Sequence, residues 1–161
     1  MNSMTTRLRS ERGAELIEFA LIFPLLLLVL LGMIDFGFLF QRYEVLTNAT
    51  REGARMAILP GYDADDVKTR ICEFLTNGGV PTTGCPGATP THPAVTVTDT
   101  TIALGAGVTP VQAKQVQLAY THNFMFVGPI IGLMGGSWTN TKVITTVATM
   151  RTELVAVPPT P

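Results

Sequence analysis

Residues 19–34 read Phe-Ala-Leu-Ile-Phe-Pro-Leu-Leu-Leu-Leu-Val-Leu-Leu-Gly-Met-Ile, with no charged or hydrogen-bonding side chain among them. Asp35 interrupts the run, and Phe36-Gly-Phe-Leu-Phe40 continues it. A membrane span needs about 20 predominantly apolar residues at 1.5 Å rise each. Residues 19–40 meet that length with one acid inside. A four-Leu block flanked by arginines on both sides is foreign to a soluble core, so the stretch reads as a transmembrane helix. A removable secretory signal would carry a shorter apolar run followed by a small-x-small cleavage site. Gln41-Arg42-Tyr43-Glu44 offers no such site, so the span is expected to be retained.

Working outward, the flanks give the orientation. Arg7, Arg9 and Arg12 crowd the short N-terminal tail, whereas Arg42, Arg51 and Arg55 are spread over the residues beyond the span. Lys and Arg favour the cytoplasmic side, so the expected topology is N-inside and C-outside. The whole chain has 161 residues, a net charge of −1 and 14% charged residues. That charge content is far below the roughly 25% of an average globular protein, which excludes a disordered polyelectrolyte. There is no basic excess, so nothing points to nucleic acid. The length accommodates one small domain plus an anchor.

The sharpest signal precedes the span: Arg12-Gly13-Ala14-Glu15-Leu16-Ile17-Glu18-Phe19. Glu18 is a carboxylate already inside the apolar stretch. A charge at the bilayer centre costs roughly 2.5–3.5 kcal/mol on insertion scales, and less at the edge. Read without further context, Glu15 and Glu18 are first-turn acids at the headgroup level, partly offset by the helix N-terminus.

This segment resembles a class III, type IV pilin-like signal. More narrowly, the chain resembles the TadE-like pseudopilins of the tight-adherence (Flp pilus) secretion system. Three stretches carry the likeness: Arg12 to Leu21; Asn48-Ala-Thr-Arg51-Glu52-Gly53-Ala-Arg55; and Met150-Arg-Thr-Glu153. The likeness is close over residues 12 to about 60 and loose over 115–153.

The resemblance implies a prepilin peptidase that cuts between Gly13 and Ala14 on the cytoplasmic side and leaves the helix in place. Residues 1–13 would be a basic leader, Ala14 the new N-terminus, and Glu18 the fifth residue of the mature chain, followed by Phe19. It implies a minor pseudopilin in the bacterial inner membrane, with a periplasmic head. Its partners would be the peptidase, other pilin or pseudopilin subunits and inner-membrane platform proteins. It implies no enzymatic activity, cofactor or small-molecule substrate. The physics agrees with such a cut. The new α-ammonium at Ala14 and the Glu18 carboxylate are each costly near lipid, and each neutralises the other between neighbouring subunits. Glycine, lacking Cβ, suits a peptidase cleft that must approach the backbone closely.

Asp35 near the outer end of the span reads as a snorkelling interfacial acid or as a contact to a partner helix, for instance to Arg42 of a neighbour. Pro24 is expected to kink the helix or remove one backbone bond. Residues 41–60 extend the helix outside the membrane, giving one helix over roughly 17–59 that stops at Pro60-Gly61. Leu46, Ala49, Gly53 and Met56 form a stripe with small residues at its centre, and Ala49, Gly53 and Ala57 permit close approach of another element. Glu52 and Arg55 stand at pairing distance, i and i+3. Arg51 and Arg55 read as a solvated face or as contacts to headgroups or a neighbouring subunit.

Residues 61–153 read as a small α+β head. Asp63-Ala-Asp65-Asp66 caps an amphipathic helix carrying Val67, Ile71, Phe74 and Leu75, and Asn77-Gly78-Gly79 stops it. Residues 77–93 form a Gly/Pro-rich loop. Cys72 and Cys85 are the two cysteines. Outside the membrane they are expected to form a disulfide. Two cysteines and the isolated His92 and His122 do not make a metal site. Alternation over 95–104, 115–124 and 141–151 predicts a roughly three-stranded antiparallel sheet with one face on the helix. His122 falls in the apolar register of its strand and reads as packed. The apolar block 124–136 is too short to span and is broken by Gly128-Pro129. It reads as a cover over the core, or else as an exposed patch against membrane or partner. Residues 154–161 read as a tail.

No P-loop, Gly-x-Ser-x-Gly or His-Glu-x-x-His motif occurs. Two other functions stay open at this level: an uncleaved, membrane-anchored periplasmic adaptor of a secretion system, and a tethered enzyme using His122 with an acid such as Asp99.

Overall fold

The computed structural model describes residues 3–86, 93–133, 135–136 and 140–152, with side chains from Gly13 onward except that of Leu133. His92, Glu153, the 154–161 tail, residues 87–92 of the Gly/Pro-rich loop and the side chains of Arg7, Arg9 and Arg12 lie outside this description. The architecture is α+β: a long N-terminal helix, a second helix and a three-stranded antiparallel sheet.

Helix α1 runs from Ser3 to Ala57 without interruption. It begins well before the expected residue 17. Ser3 to Arg12 contains neither Pro nor Gly, and its Leu, Met, Arg and Glu residues are good helix formers. Pro24 lies inside the helix. Its missing N–H removes one backbone bond, and the flanking intrahelical bonds carry the helix past it. Beyond Ala57 the Leu59 N–H donates to the Met56 carbonyl at 3.0 Å, and Gly61 turns the chain at φ +91°, where a side chain would be strained.

The chain divides into two compact units. The first joins the residues up to Phe38 with Phe124–Asn140, and within the second segment lies the short helix α3, Val127–Leu133. Phe36 and Phe124 meet edge-on with ring centroids 6.0 Å apart. Gly32 lies against Val127, whose Cγ2 would be 3.9 Å from a Cβ at position 32. The Phe124 N–H donates to the Asn140 carbonyl at 3.0 Å and closes the neck of the segment. Thus described residues of the apolar block 124–136 contact Gly32, Asp35 and Phe36, in the apolar half of α1. The large apolar side chains of that half, among them Leu21, Leu25, Leu30 and Phe40, are exposed along the chain. A helix this apolar and this uncovered is long enough to cross a bilayer.

The second unit contains the end of α1 from Leu39, helix α2 (Ala64–Asn77), and strands β1 (Ala94–Ile102), β2 (Val111–Asn123) and β3 (Thr141–Arg151). The sheet order is β1-β2-β3, all antiparallel. Its register aligns Val95 with Leu118 and Thr146, and Val97 with Val116 and Ala148. These residues, with Tyr120 and Ile144, make the inner face. The alternate positions carry Thr96, Thr98, Gln117 and Thr145. Strand β1 stops at Ile102 and leaves Leu104 exposed, whereas β2 starts at Val111, directly after Pro110, four residues earlier than expected. Pro110 has no N–H to offer a ladder, so the strand starts behind it.

Helix α2 follows the capping logic of its sequence. The Asp63 carboxylate accepts the N–H groups of Asp65 and Asp66 at 2.8 and 2.9 Å, and Asp66 returns the bond to the Asp63 N–H at 3.1 Å. Val67, Ile71 and Leu75 form its buried stripe. Together with Leu46, Ala49 and Ala54 of α1 and Val116 and Leu118 of β2 they build the core. The Cys72–Cys85 disulfide, Cα atoms 5.9 Å apart, ties α2 to the loop that follows.

Candidate processing and assembly segment

Gly13 to Phe19 lies within continuous helix. Gly13 is half-buried, and nothing stands within 4 Å of the position a Cβ would take. The Gly13–Ala14 bond is therefore approachable but helical. Glycine weakens a helix interior by roughly 1 kcal/mol relative to Ala, which makes this the easiest point of the segment to open. Glu15 and Glu18 are exposed, and the rings of Phe19 and Phe23 stack one turn apart with centroids at 5.2 Å. Among the described residues Glu18 has no ion pair within the chain. Its carboxylate is open to a partner in another chain.

Asp35 behaves differently from the interfacial acid read from its sequence. It is 1% exposed. Its Oδ1 accepts the Met125 N–H at 3.1 Å, and its Oδ2 accepts the N–H groups of Phe126 at 2.9 Å and Val127 at 2.8 Å. These are orphan donors at the start of α3, which no intrahelical carbonyl reaches. Each hydrogen bond to a charged acceptor is worth about 1.5–3 kcal/mol net, so three of them hold the 124–133 segment firmly. Sequence reasoning missed this pairing. The available signal was that the chain has two anomalies, an acid in an apolar span and an apolar block too short to span, and each resolves the other.

Arg42, also weighed as a partner for Asp35, points elsewhere within its chain. Its Nη1 donates to His122 Nδ1 at 2.8 Å, and its guanidinium carbon lies 5.9 Å from the centre of the Tyr120 ring. A guanidinium has only donors, so Nδ1 accepts and the imidazole carries its proton on Nε2. His122 is 2% exposed, in the packed register that its strand pattern indicates. Asp99 faces Lys114 across β1 and β2 and forms an ion pair with it. Lys114 precedes His122 by eight positions on β2, about 27 Å at 3.4 Å per residue. The pairing of His122 with Asp99 needed for a tethered enzyme is thus overturned: the two belong to opposite ends of the sheet.

The outer part of α1 carries the other candidates. Gly53 is buried, and a Cβ there would come within 2.7 Å of Ile71 Cγ1. The small-residue stripe of Ala49, Gly53 and Ala57 does allow close approach, and the element that approaches is α2. Arg51 and Arg55 are exposed. Glu52 approaches Arg70 of α2 at 3.8 Å rather than Arg55, because the packing of α2 over Gly53 brings Arg70 alongside. Thr50, also buried, donates to the Leu46 carbonyl at 2.7 Å and meets Thr146 hydroxyl to hydroxyl at 2.6 Å.

The chain matches no curated protein and no solved structure. The looser likeness over 115–153 has no counterpart in the family comparison, whose match begins at Gly13, ends at Arg55 and takes in Glu18, Phe19, Asp35, Arg51 and Gly53. Residues 13–55, less than half of the chain's length, match the family described as TadE-like protein, and over that segment the chain is similar to it.

Proposed function

We propose that the chain is a minor pseudopilin of a tight-adherence pilus, matured by a prepilin peptidase and acting through helix packing in the membrane and head contacts outside it. The observation that carries this reading is where the TadE-like match lies: it opens on Gly13 and runs through the apolar helix to Arg55. The TadE-like family itself points to the tight-adherence pilus system. The apolar helix supports a membrane anchor, and the disulfide suits an oxidising compartment beyond it.

The mechanism follows from the charges. Hydrolysis of the Gly13–Ala14 bond releases residues 1–13 and creates an ammonium at Ala14. The Glu18 carboxylate of an adjacent subunit neutralises it in a low-dielectric setting, where either charge alone is costly. That pairing sets the stagger of parallel helices. The partners are the peptidase, other pilin or pseudopilin subunits and platform proteins in the bacterial inner membrane, with the N-terminus cytoplasmic. Arg51 and Arg55 are exposed on the helix just outside the span, where they meet headgroups or a neighbouring subunit.

The test is the N-terminal residue of the protein recovered from membranes with the cognate peptidase present, read by intact mass and N-terminal peptide sequencing. A start at Ala14 is expected. A start at Met1, or with Met1 alone trimmed, in every preparation would overturn the pseudopilin reading in favour of an uncleaved anchored adaptor.

A further inference from the structure

We propose that residues 124–133 of the connection between β2 and β3 form a re-entrant element that inserts into the hydrocarbon of the outer leaflet, tethered to the span by Asp35. The occupant of its uncovered surface is lipid acyl chain. The inference rests on residues 14–40 crossing a bilayer, and not on cleavage or on a pilus.

Depth is the first argument. The contacts of this segment fall on Gly32, Asp35 and Phe36. The apolar run of α1 continues to Phe40, so Asp35 lies five residues, about 7–8 Å, inside its outer end. Whatever packs beside Asp35 therefore sits below the level of Phe38 and Phe40, which are themselves exposed. If those phenylalanines touch lipid, so does their neighbour.

Chemistry is the second. From Phe124 to Gly136 no side chain is charged. Met125 is 67% exposed, which in water would be wasteful and in lipid is favourable.

Backbone satisfaction is the third. Irregular backbone is tolerated at membrane depth only where its polar groups find partners. Here the N–H groups of Met125, Phe126 and Val127 go to Asp35, the Ile130 N–H goes to the Phe126 carbonyl at 3.2 Å, and the Phe124 N–H goes to the Asn140 carbonyl. The acid in the span is thereby explained from both sides. It supplies acceptors that a lipid environment lacks, and it receives donors that make its own burial tolerable.

The test is fluorescence of full-length protein in phosphatidylcholine/phosphatidylglycerol vesicles. The native Trp138 is replaced by Phe, and one tryptophan is placed by Met125→Trp or, as a second variant, Ile130→Trp. Acyl chains brominated at a shallow carbon should quench both severalfold more than aqueous iodide does. Leu26→Trp in the span and Thr98→Trp on the exposed head are the references. Quenching of Met125→Trp and Ile130→Trp by iodide to the level of Thr98→Trp overturns the proposal. So does shielding from both quenchers, which would mean a protein cover. A Leu26→Trp that escapes bromolipid would bring down the membrane span itself, a distinguishable failure. Adding Asp35→Ala to Met125→Trp should shift quenching from lipid toward iodide, whereas unchanged quenching would overturn the tether.

Discussion

Ile71 of α2 packs directly onto the backbone of Gly53 in α1, with its Cγ1 2.7 Å from where a Cβ would stand. Replacing Gly53 by Ala gains about 1 kcal/mol of helix propensity but forces the buried Ile71 to move, and overpacking costs about 1–3 kcal/mol. We expect Gly53→Ala to be mildly destabilising and Gly53→Val to lower stability by about 3 kcal/mol or more, since Val adds bulk without Ala's propensity. Thermal unfolding of the full chain in detergent reads both. Combining Gly53→Ala with Ile71→Ala, which removes both Cγ1 and Cδ1, should cost less than the two single changes summed, and an additive double variant would show that the two residues do not couple.

The Thr50–Thr146 bond makes a separate prediction. Thr50→Val alone removes a buried hydroxyl and weakens the satisfaction of Thr146, whose remaining contact to the Leu46 carbonyl is long at 3.4 Å. That should cost about 1–2 kcal/mol. The double change Thr50→Val with Thr146→Val replaces both partners by apolar groups of the same shape. It should cost less than the two single changes summed, and a double-mutant cycle on unfolding midpoints measures the difference.

The disulfide should contribute substantially to the head. Its two cysteines are 13 positions apart, and a loop of that length stabilises by about 3 kcal/mol in the chain-entropy model. Cys72→Ser with Cys85→Ser, or reduction of the native chain, should therefore lower the unfolding midpoint by about 1–3 M urea rather than shift it marginally. A midpoint unchanged under reductant would show that the bond is dispensable.

Processing and assembly should separate genetically. Gly13→Val places a branched Cβ at the scissile bond and should abolish cleavage, seen as a mass that retains residues 1–13. Glu18→Ala should be cleaved nearly as well as the parent, because in the proposed mechanism the carboxylate serves only a neighbour's Ala14 amine. Its recovery in assembled pili or pilus complexes should fall several-fold. Normal assembly of Glu18→Ala in cells would sink the ion-pair mechanism.

What the sequence revealed depended on how local the determining forces were. The Asp63 cap, the Val67–Ile71–Leu75 stripe and the alternation of Val116, Leu118 and Tyr120 are short-range patterns, and the helices and strands formed where those patterns lie. The cysteine pair was legible because the spacing and the inferred compartment leave little else for it to do. Long-range partners were not legible. Arg70 as the neighbour of Glu52, His122 as the acceptor for Arg42, and the three amides around Asp35 are separated from their partners by chain lengths that no periodicity reports. Helix α1 began early because Ser3 to Arg12 holds good helix formers and a single glycine at position 13 does not end a helix. Of the candidate segment, Gly13, Glu18 and Phe19 lie in continuous helix, and the environment of Asp35 had to be seen.

The reach of the Asp35 contacts has a consequence in time. Asp35 and the Val127 amide are 92 residues apart. Chains emerge at about 5–20 residues per second, so the acid is made roughly 5–18 s before the last of its donors exists. A span that entered the bilayer on its own during that interval would carry its carboxylate unaccompanied. If α1 spans a bilayer, Asp35 would therefore stay near water, or beside another donor, until residue 127 arrives.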